Sequence, residues 1–442
     1  MSAIKLITKK GFDYNTFISD LRGDPFDPTT EIEYFKTKIV MTGENGVSVE
    51  FYGDDLRPKD NTGHITSGVL KINGVIVAEI SDVNLDISSD EFVAAVALVG
   101  GALPLRLVLG LVYDGPDDEF TFFGAKGNDT ILGESDAGNF LFGGKGDDLF
   151  KAHDAETYFD GGEGFDKVDY FAAGEGVTVN LVDPTKNTGI AAGHTYSSIE
   201  DVTGGYFNDK IVGNSEANIL NGSLGSDTLV GGGGRDTLDG GADDLGSIDF
   251  ASFEATRETG GFGVFASLAT GLANADGVAE IKLLNIEGLI GSSFRDRLIG
   301  DDGVNYLFGE RGDDFLQGGK GKDILRGDTT SFADFAGVDQ FIYGAVNEGG
   351  DKILDYDIYD QIGISRSGFK LNANYSVVDG VTFIKGAGAV ATTGKATFLF
   401  DTETNKLFFD ADGTGKGKAK LIAEITFDNP DSIDAGDFVL LF

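Results

Sequence analysis

The sequence predicts an all-β protein: a parallel β-roll solenoid flanked by a small N-terminal β-rich module and a C-terminal β-rich cap. Three observations carry that prediction. Nonapeptides recur in phase, and in every good copy the sixth residue is Asp or Asn and the eighth is large and apolar. Glycine reaches 67 of 442 residues, roughly twice the usual share, while proline is held to 7. A longer unit is duplicated as well: Asp209, Asn218, Asp227 and Asp236 recur as Asp296, Asn305, Asp314 and Asp323, each displaced by 87 residues.

Composition excludes several classes before any motif is read. With no cysteine there is neither a disulfide scaffold nor a cysteine zinc site. Hydrophobic residues at 41%, among them 35 phenylalanines, demand a core and argue against wholesale disorder. Asp and Glu total 73 against 34 Lys and Arg, a formal charge of −39, so nucleic acid is not an expected partner. So large a charge destabilises a compact chain unless cations offset it.

Residues 1–118 read as an N-terminal module. MSAIKLITKKGF lacks the apolar stretch of a cleavable secretory signal. Val47–Tyr52 and Gly68–Ile80 carry the alternation and the Asn73-Gly74 turn of β-hairpins. Asp82–Leu98 reads as loop and then one helix. Phe92–Tyr113 is apolar apart from Arg106 and long enough to span a bilayer, but Gly100, Gly101, Pro104 and acidic flanks argue against a span. A buried helix followed by a core strand is expected there.

Residues 119–330 hold the array. Four nonapeptides run without a gap from Gly204, Gly213, Gly222 and Gly231, and four more from Gly291, Gly300, Gly309 and Gly318. A rougher block starts at Gly124, Gly133, Gly143 and Gly161. Two related segments, about 168–203 and 248–290, interrupt the array, and Ser198-Ile199-Glu200 in the first recurs as Asn285-Ile286-Glu287 in the second. One nonapeptide cannot close a core. Its glycine half supports a tight turn, and its apolar residue, such as Leu229 or Leu238, sits on a minimal strand. Stacking alternate units gives two parallel sheets around a ladder of aliphatic and aromatic side chains.

That stacking calls for a cation. Coils lie about 4.8 Å apart, so aspartates such as Asp209 and Asp227 fall above one another. Two such charges repel by roughly 1 kcal/mol in water and about 3–4 kcal/mol at an effective dielectric near 20. Carboxylates and turn carbonyls are hard ligands, with no Cys or clustered His beside them, which selects calcium over zinc or copper. Magnesium's tight octahedron suits a carbonyl-rich cage less well. Asn218, Asn305, Asn139 and Thr157 lack the charge and mark weaker or absent sites.

GGxGxD followed by x-apolar-x resembles the RTX family of hemolysin-type calcium-binding repeats, whose fold is the RTX β-roll. The resemblance covers roughly 120–360. It implies that glycine-turn carbonyls and the aspartates of successive coils hold each ion. The matching aspartates are Asp129, Asp148, Asp166, Asp209, Asp227, Asp236, Asp296, Asp314 and Asp323. The matching turn glycines are Gly143 and Gly146, Gly161 and Gly164, Gly222 and Gly225, Gly231 and Gly234, Gly309 and Gly312, and Gly318 and Gly321. Residues 331–442 resemble the family's closing element and secretion region. Gly337–Phe341 and Asp351–Asp357 look like the roll's cap, and the segment from Ala396 looks like the β-rich tail of type I secretion substrates. The acidic-then-apolar ending Asp437–Phe442 is similar to an uncleaved type I signal, which implies the type I secretion machinery as a partner.

No catalytic motif accompanies the array. HExxH, GxSxG and a Walker A loop are absent, Gly133–Ala137 only approaches the second, and His64, His153 and His194 are far apart. Acidic pairs such as Asp54-Asp55 and Asp117-Asp118 do not by sequence alone converge on a bond. The sequence thus reads as a non-enzymatic, secreted, extracellular or cell-surface calcium protein without a membrane span. The alternatives are a self-associating surface-layer or adhesin subunit and a carrier of an unrecognised enzyme in 1–118.

Overall fold

The computed structural model describes the backbone of residues 31–35, 38–42, 47–57, 62–72, 75–86, 92–101 and 103–114. From 120 onward it describes the chain apart from 125–126, 133–137, 243–245, 257–262, 276–277, 329–336, 416, 428–432 and 442. The leader expectation at residues 1–12, the acidic pair 117–118 and the near-motif at 133–137 lie outside the described residues. By packing, the chain divides into two compact units, Met1–Gly204 and Gly205–Phe442, a boundary that falls within the repeat array. Among the described residues the regular structure is β-strand with a few short 3-10 turns, and no α-helix occurs.

In the first unit an antiparallel meander runs through Glu31–Phe35, Lys38–Thr42, Val47–Arg57, Thr62–Ile72 and Val75–Asp86. Ile72 pairs with Val75, which leaves the two residues of the expected Asn-Gly turn between the strands. The expected helix is corrected. Residues 82–86 continue a strand, and Phe92–Gly101 pairs antiparallel with Leu103–Asp114 from Phe92↔Tyr113 inward. Valines at 93, 96, 99, 108 and 112 favour an extended backbone, and the glycine pair 100–101 supports the reversal.

The array then forms a parallel roll. Thr130–Leu132, Leu149–Lys151, Lys167–Asp169 and Asp201–Thr203 stack in one sheet; Phe120–Phe123, Asn139–Lys145, Thr157–Glu163 and Thr195–Ser197 stack in another. Leu149 pairs with Lys167, 18 residues on, so each coil consumes two nonapeptides. The eighth residue of each unit points inward. Ile131, Phe150 and Val168 are buried in this way, as is Val202 at the end of the inserted segment, and Phe150 meets Phe159 of the other sheet with ring centroids 5.5 Å apart.

The second unit repeats this design. One parallel ladder runs Ile211, Leu229, Ala251, Leu289, Leu307, Leu325 and Ile353, all fully buried. The other sheet carries Leu220, Leu238 and Leu283. It then passes through the antiparallel strands Leu272–Ala275 and Phe265–Ser267 to Leu298, Leu316, Phe341 and Ile362. The chain closes on an aromatic cap in which Phe398 stacks near Phe409, Phe369 and Phe438. The final strand Phe438–Leu441 pairs parallel with Gln361–Ser365.

Candidate metal centre

Each nonapeptide turn needs glycine twice, for two different reasons. At the fourth position Gly146 has φ +113°, and a Cβ there would also run into the backbone of Gly127 one coil away. Gly164, Gly225, Gly234, Gly312 and Gly321 share the positive φ and the close stacking. At the first position the constraint is a side chain. A Cβ on Gly143 would collide with Asp148 Oδ2 and press on the carbonyl oxygen of Gly161. Gly161, Gly222, Gly231, Gly309 and Gly318 stand in the same relation to Asp166, Asp227, Asp236, Asp314 and Asp323. At Gly143, Gly161 and Gly309 the turn thus brings a carboxylate oxygen and a carbonyl oxygen together beside the missing Cβ.

The aspartates form ladders. Asp148 Oδ1 accepts the backbone N–H of Asp129 at 2.7 Å, and Asp166 Oδ1 accepts that of Asp148 at 2.7 Å. Asp227 does the same for Asp209, and Asp314 for Asp296, both at 2.7 Å. Asp236 and Asp323 accept from the asparagines Asn218 and Asn305 at 2.9 Å. One oxygen is therefore spent on holding register. The other oxygen, Oδ2 of Asp148, Asp166, Asp227, Asp236, Asp314 and Asp323, is buried with no hydrogen bond from the protein. A buried carboxylate oxygen in that state costs free energy unless a cation meets it.

The electrostatics agree. Burial pushes the Asp148 carboxyl up to about 7, partly opposed by the Asp129 N–H, while the neighbouring carboxylates Asp129 and Asp166 push it further up. Asp227 and Asp314 rise to about 8 for the same primary reason, with Asp209 and Asp296 as like-charged neighbours. Asp166, Asp236 and Asp323 rise to about 6, again chiefly through burial. In each case the low-dielectric site disfavours a bare negative charge. Among the described residues no three Asp, Glu or His side chains converge, so an ion here must draw on carbonyl oxygens as well. A mixed carboxylate and carbonyl set of hard oxygens fits calcium.

The remaining predicted aspartates differ in their second oxygen. Asp209 Oδ2 accepts the N–H of Gly205 at 2.5 Å. Asp296 Oδ2 accepts the N–H of Ser292, and its Oδ1 accepts from Ser292 Oγ at 2.8 Å and Val264 N at 2.6 Å. Asp129, also buried, lies at the start of its ladder. Asn218 and Asn305 accept from their own turns, at Asn214 N and Asp301 N. Asn139 donates to Thr157 Oγ1 at 3.1 Å, a neutral rung.

Four rungs are missing from the sequence reading. Asp249 Oδ1 accepts the N–H of Asp227 at 2.8 Å, Asp339 Oδ1 that of Asp314 at 2.8 Å, Asp351 Oδ1 that of Asp323 at 3.0 Å, and Asp360 Oδ1 that of Asp339 at 3.1 Å. Burial pushes Asp339 and Asp360 up to about 9 and Asp351 up to about 8. Asp339 Oδ2 is buried and unpartnered, and a Cβ on Gly327 would strike it. Glycine before an aspartate that precedes alternating apolar residues, as in Gly337-Val338-Asp339-Gln340-Phe341, was the available signal.

His194 belongs to a separate buried network. Its Nδ1 meets Tyr170 Oη at 2.8 Å and its Nε2 meets the Ala155 carbonyl at 2.9 Å, and burial pushes it down to about 4. It is a neutral core histidine.

The model of the RTX calcium-binding nonapeptide repeat matches four stretches of the chain, residues 121–150, 135–168, 203–238 and 289–329. These fall on the turns and ladders just described. No curated protein matches the chain. Fold and repeats together define a calcium-binding RTX-repeat protein with a parallel β-roll.

Proposed function

We propose that this chain is a secreted, non-enzymatic protein that completes its folding when it meets extracellular calcium, acting outside the cell or at its surface. The observation that carries the reading is the series of fully buried, unpartnered Oδ2 atoms at Asp148, Asp166, Asp227, Asp236, Asp314 and Asp323, each beside a turn glycine. Those aspartates and the adjoining glycine carbonyls are assigned as the ligands. With a dissociation constant near 10⁻⁴ M and tenfold more calcium outside the cell, each site contributes about 1.4 kcal/mol. Several such sites amount to much of a typical domain stability of about 5–15 kcal/mol. Where calcium is scarce that contribution vanishes and the buried carboxylates repel one another, which keeps the chain loosely folded and fit for export.

Far-UV circular dichroism of the chelated chain, followed by calcium addition, tests the reading. A gain of β-signal on adding calcium is expected; spectra that superimpose throughout would overturn it.

A further inference from the structure

Two turns in the array are followed by an inserted segment and not by another glycine turn. After the strand Lys167–Asp169 that follows Asp166 the chain leaves the roll, rejoins one sheet at Thr195–Ser197 and the other at Asp201–Thr203, which pairs in register with Lys167–Asp169. After the strand Phe250–Ser252 that follows Asp249 the inserted segment lends strands to the opposite sheet, and the chain then returns at Gly288–Ile290, which pairs with Phe250–Ser252. At these places the next coil supplies no GGxGxD turn to face the aspartate.

The returning segment fills both roles. At an ordinary turn a Cβ on Gly143 would lie against the carbonyl oxygen of Gly161; on Gly161 it would strike the carbonyl oxygen of Ser198, beside Asp166 Oδ2. Glu200 Oε2 accepts the N–H of Asp166 at 3.0 Å, the bond that Asp166 Oδ1 makes to Asp148. Ser198 therefore stands for the missing glycine carbonyl and Glu200 for the missing aspartate. The duplicate repeats each element: Asn285 O and Asp249 Oδ2 flank Gly240, and Glu287 Oε2 accepts the N–H of Asp249 at 3.0 Å.

At the first of these places one further feature points to a ligand. Asp166 is wholly buried, and its Oδ2, aimed at this turn, has no hydrogen bond in the protein. Ser198 and Asn285 hold φ of +49° and +50°, a left-handed backbone that side-chain-bearing residues rarely adopt. In both copies the carbonyl oxygen of this residue lies beside the same glycine as the aspartate Oδ2. Both copies hold this conformation at the corresponding position.

We infer that each inserted segment completes an additional calcium site, Gly161–Asp166–Ser198–Glu200 in one copy and Gly240–Asp249–Asn285–Glu287 in the other, with glutamate replacing the aspartate of the absent coil. The ion is held between a repeat turn and the end of an insertion, so calcium staples each insertion back onto the roll. This rests on the calcium reading above and extends it to residues outside the nonapeptides.

The test is calcium binding by isothermal titration to the full chain and to Glu200→Gln, Glu287→Gln and the double variant, with Asp227→Asn as a repeat-site control. Glutamine keeps an acceptor for the Asp166 or Asp249 N–H while removing the charge, so the chelated variants should melt where the parent does. Expected is the loss of one site, or a tenfold or greater weakening of it, in each single variant, and of two in the double. Should the parent bind calcium and Asp227→Asn lose a site while both glutamine variants titrate like the parent, this inference fails and the repeat reading stands. Should the parent bind no calcium, both fail. If one variant does not fold, the other copy gives the same decision on its own.

Discussion

Asp314 Oδ1 accepts the backbone N–H of Asp296 at 2.7 Å while its Oδ2, wholly buried, receives nothing from the protein. One carboxylate thus serves two purposes. One oxygen keeps adjacent coils in register, and the other waits on a cation. The relationship predicts opposite effects of one substitution under two conditions. Asp314→Asn keeps the register bond and removes the buried charge. In chelator its melting temperature should equal or exceed that of the parent, because a desolvated charge worth on the order of a few kcal/mol is gone. In millimolar calcium it should fall below the parent, with affinity at that site down about tenfold or more. Asp296→Asn should show a smaller calcium effect, since Ser292 already satisfies both Asp296 oxygens. Thermal melts of both variants with and without calcium check this; equal behaviour of the two would contradict it.

Gly143→Ala places a methyl group against Asp148 Oδ2 and Gly161 O. The expected cost is about 1–3 kcal/mol of overpacking, together with loss of the calcium response at that turn. Gly174→Ala, where nothing lies within 4 Å of the added carbon, serves as the control and should melt within a degree or two of the parent. Chemical denaturation in calcium distinguishes the two. Equal midpoints would mean that the turn does not hold its aspartate as described.

The pH dependence should reverse between the calcium-free and calcium-loaded protein. The folded-state carboxyls rise to about 7 at Asp148, about 8 at Asp227 and Asp314 and about 9 at Asp339, against an ordinary value of 3.8. A raised folded value means that the native state binds more protons than the unfolded one. Stability without calcium therefore falls as pH rises from about 4 to about 9. The chelated protein should be more ordered at pH 5 than at pH 8. Calcium binding runs the other way, because protons compete for the same oxygens and affinity weakens on acidification. Melting curves at the two pH values, with and without calcium, would expose either sign as wrong.

Much of this was legible in the sequence because one period governs both core and site. The eighth residue of each nonapeptide, such as Leu229, Leu307 or Leu325, is a buried rung, and the sixth, such as Asp227 or Asp314, is its turn carboxylate. The rungs that escaped notice are those where the count breaks while the stacking does not. Asp227 to Asp249 is 22 residues, Asp314 to Asp339 is 25 and Asp323 to Asp351 is 28, against 18 for a regular coil. A loop of any length can leave and rejoin the roll, so spatial register survives insertions that destroy sequence period. The misread helix at 92–101 has a different cause. Alanine and leucine raised its helical propensity, but pairing with 103–114 decided the conformation, which propensity alone does not encode.

Scanning calorimetry of the full chain in millimolar calcium, in millimolar magnesium and in chelator tests calcium-dependent folding most directly. A cooperative transition is expected in calcium that drops by more than about 10 °C or disappears in chelator, with magnesium giving only partial recovery. A transition of the same temperature and enthalpy in all three conditions would contradict it.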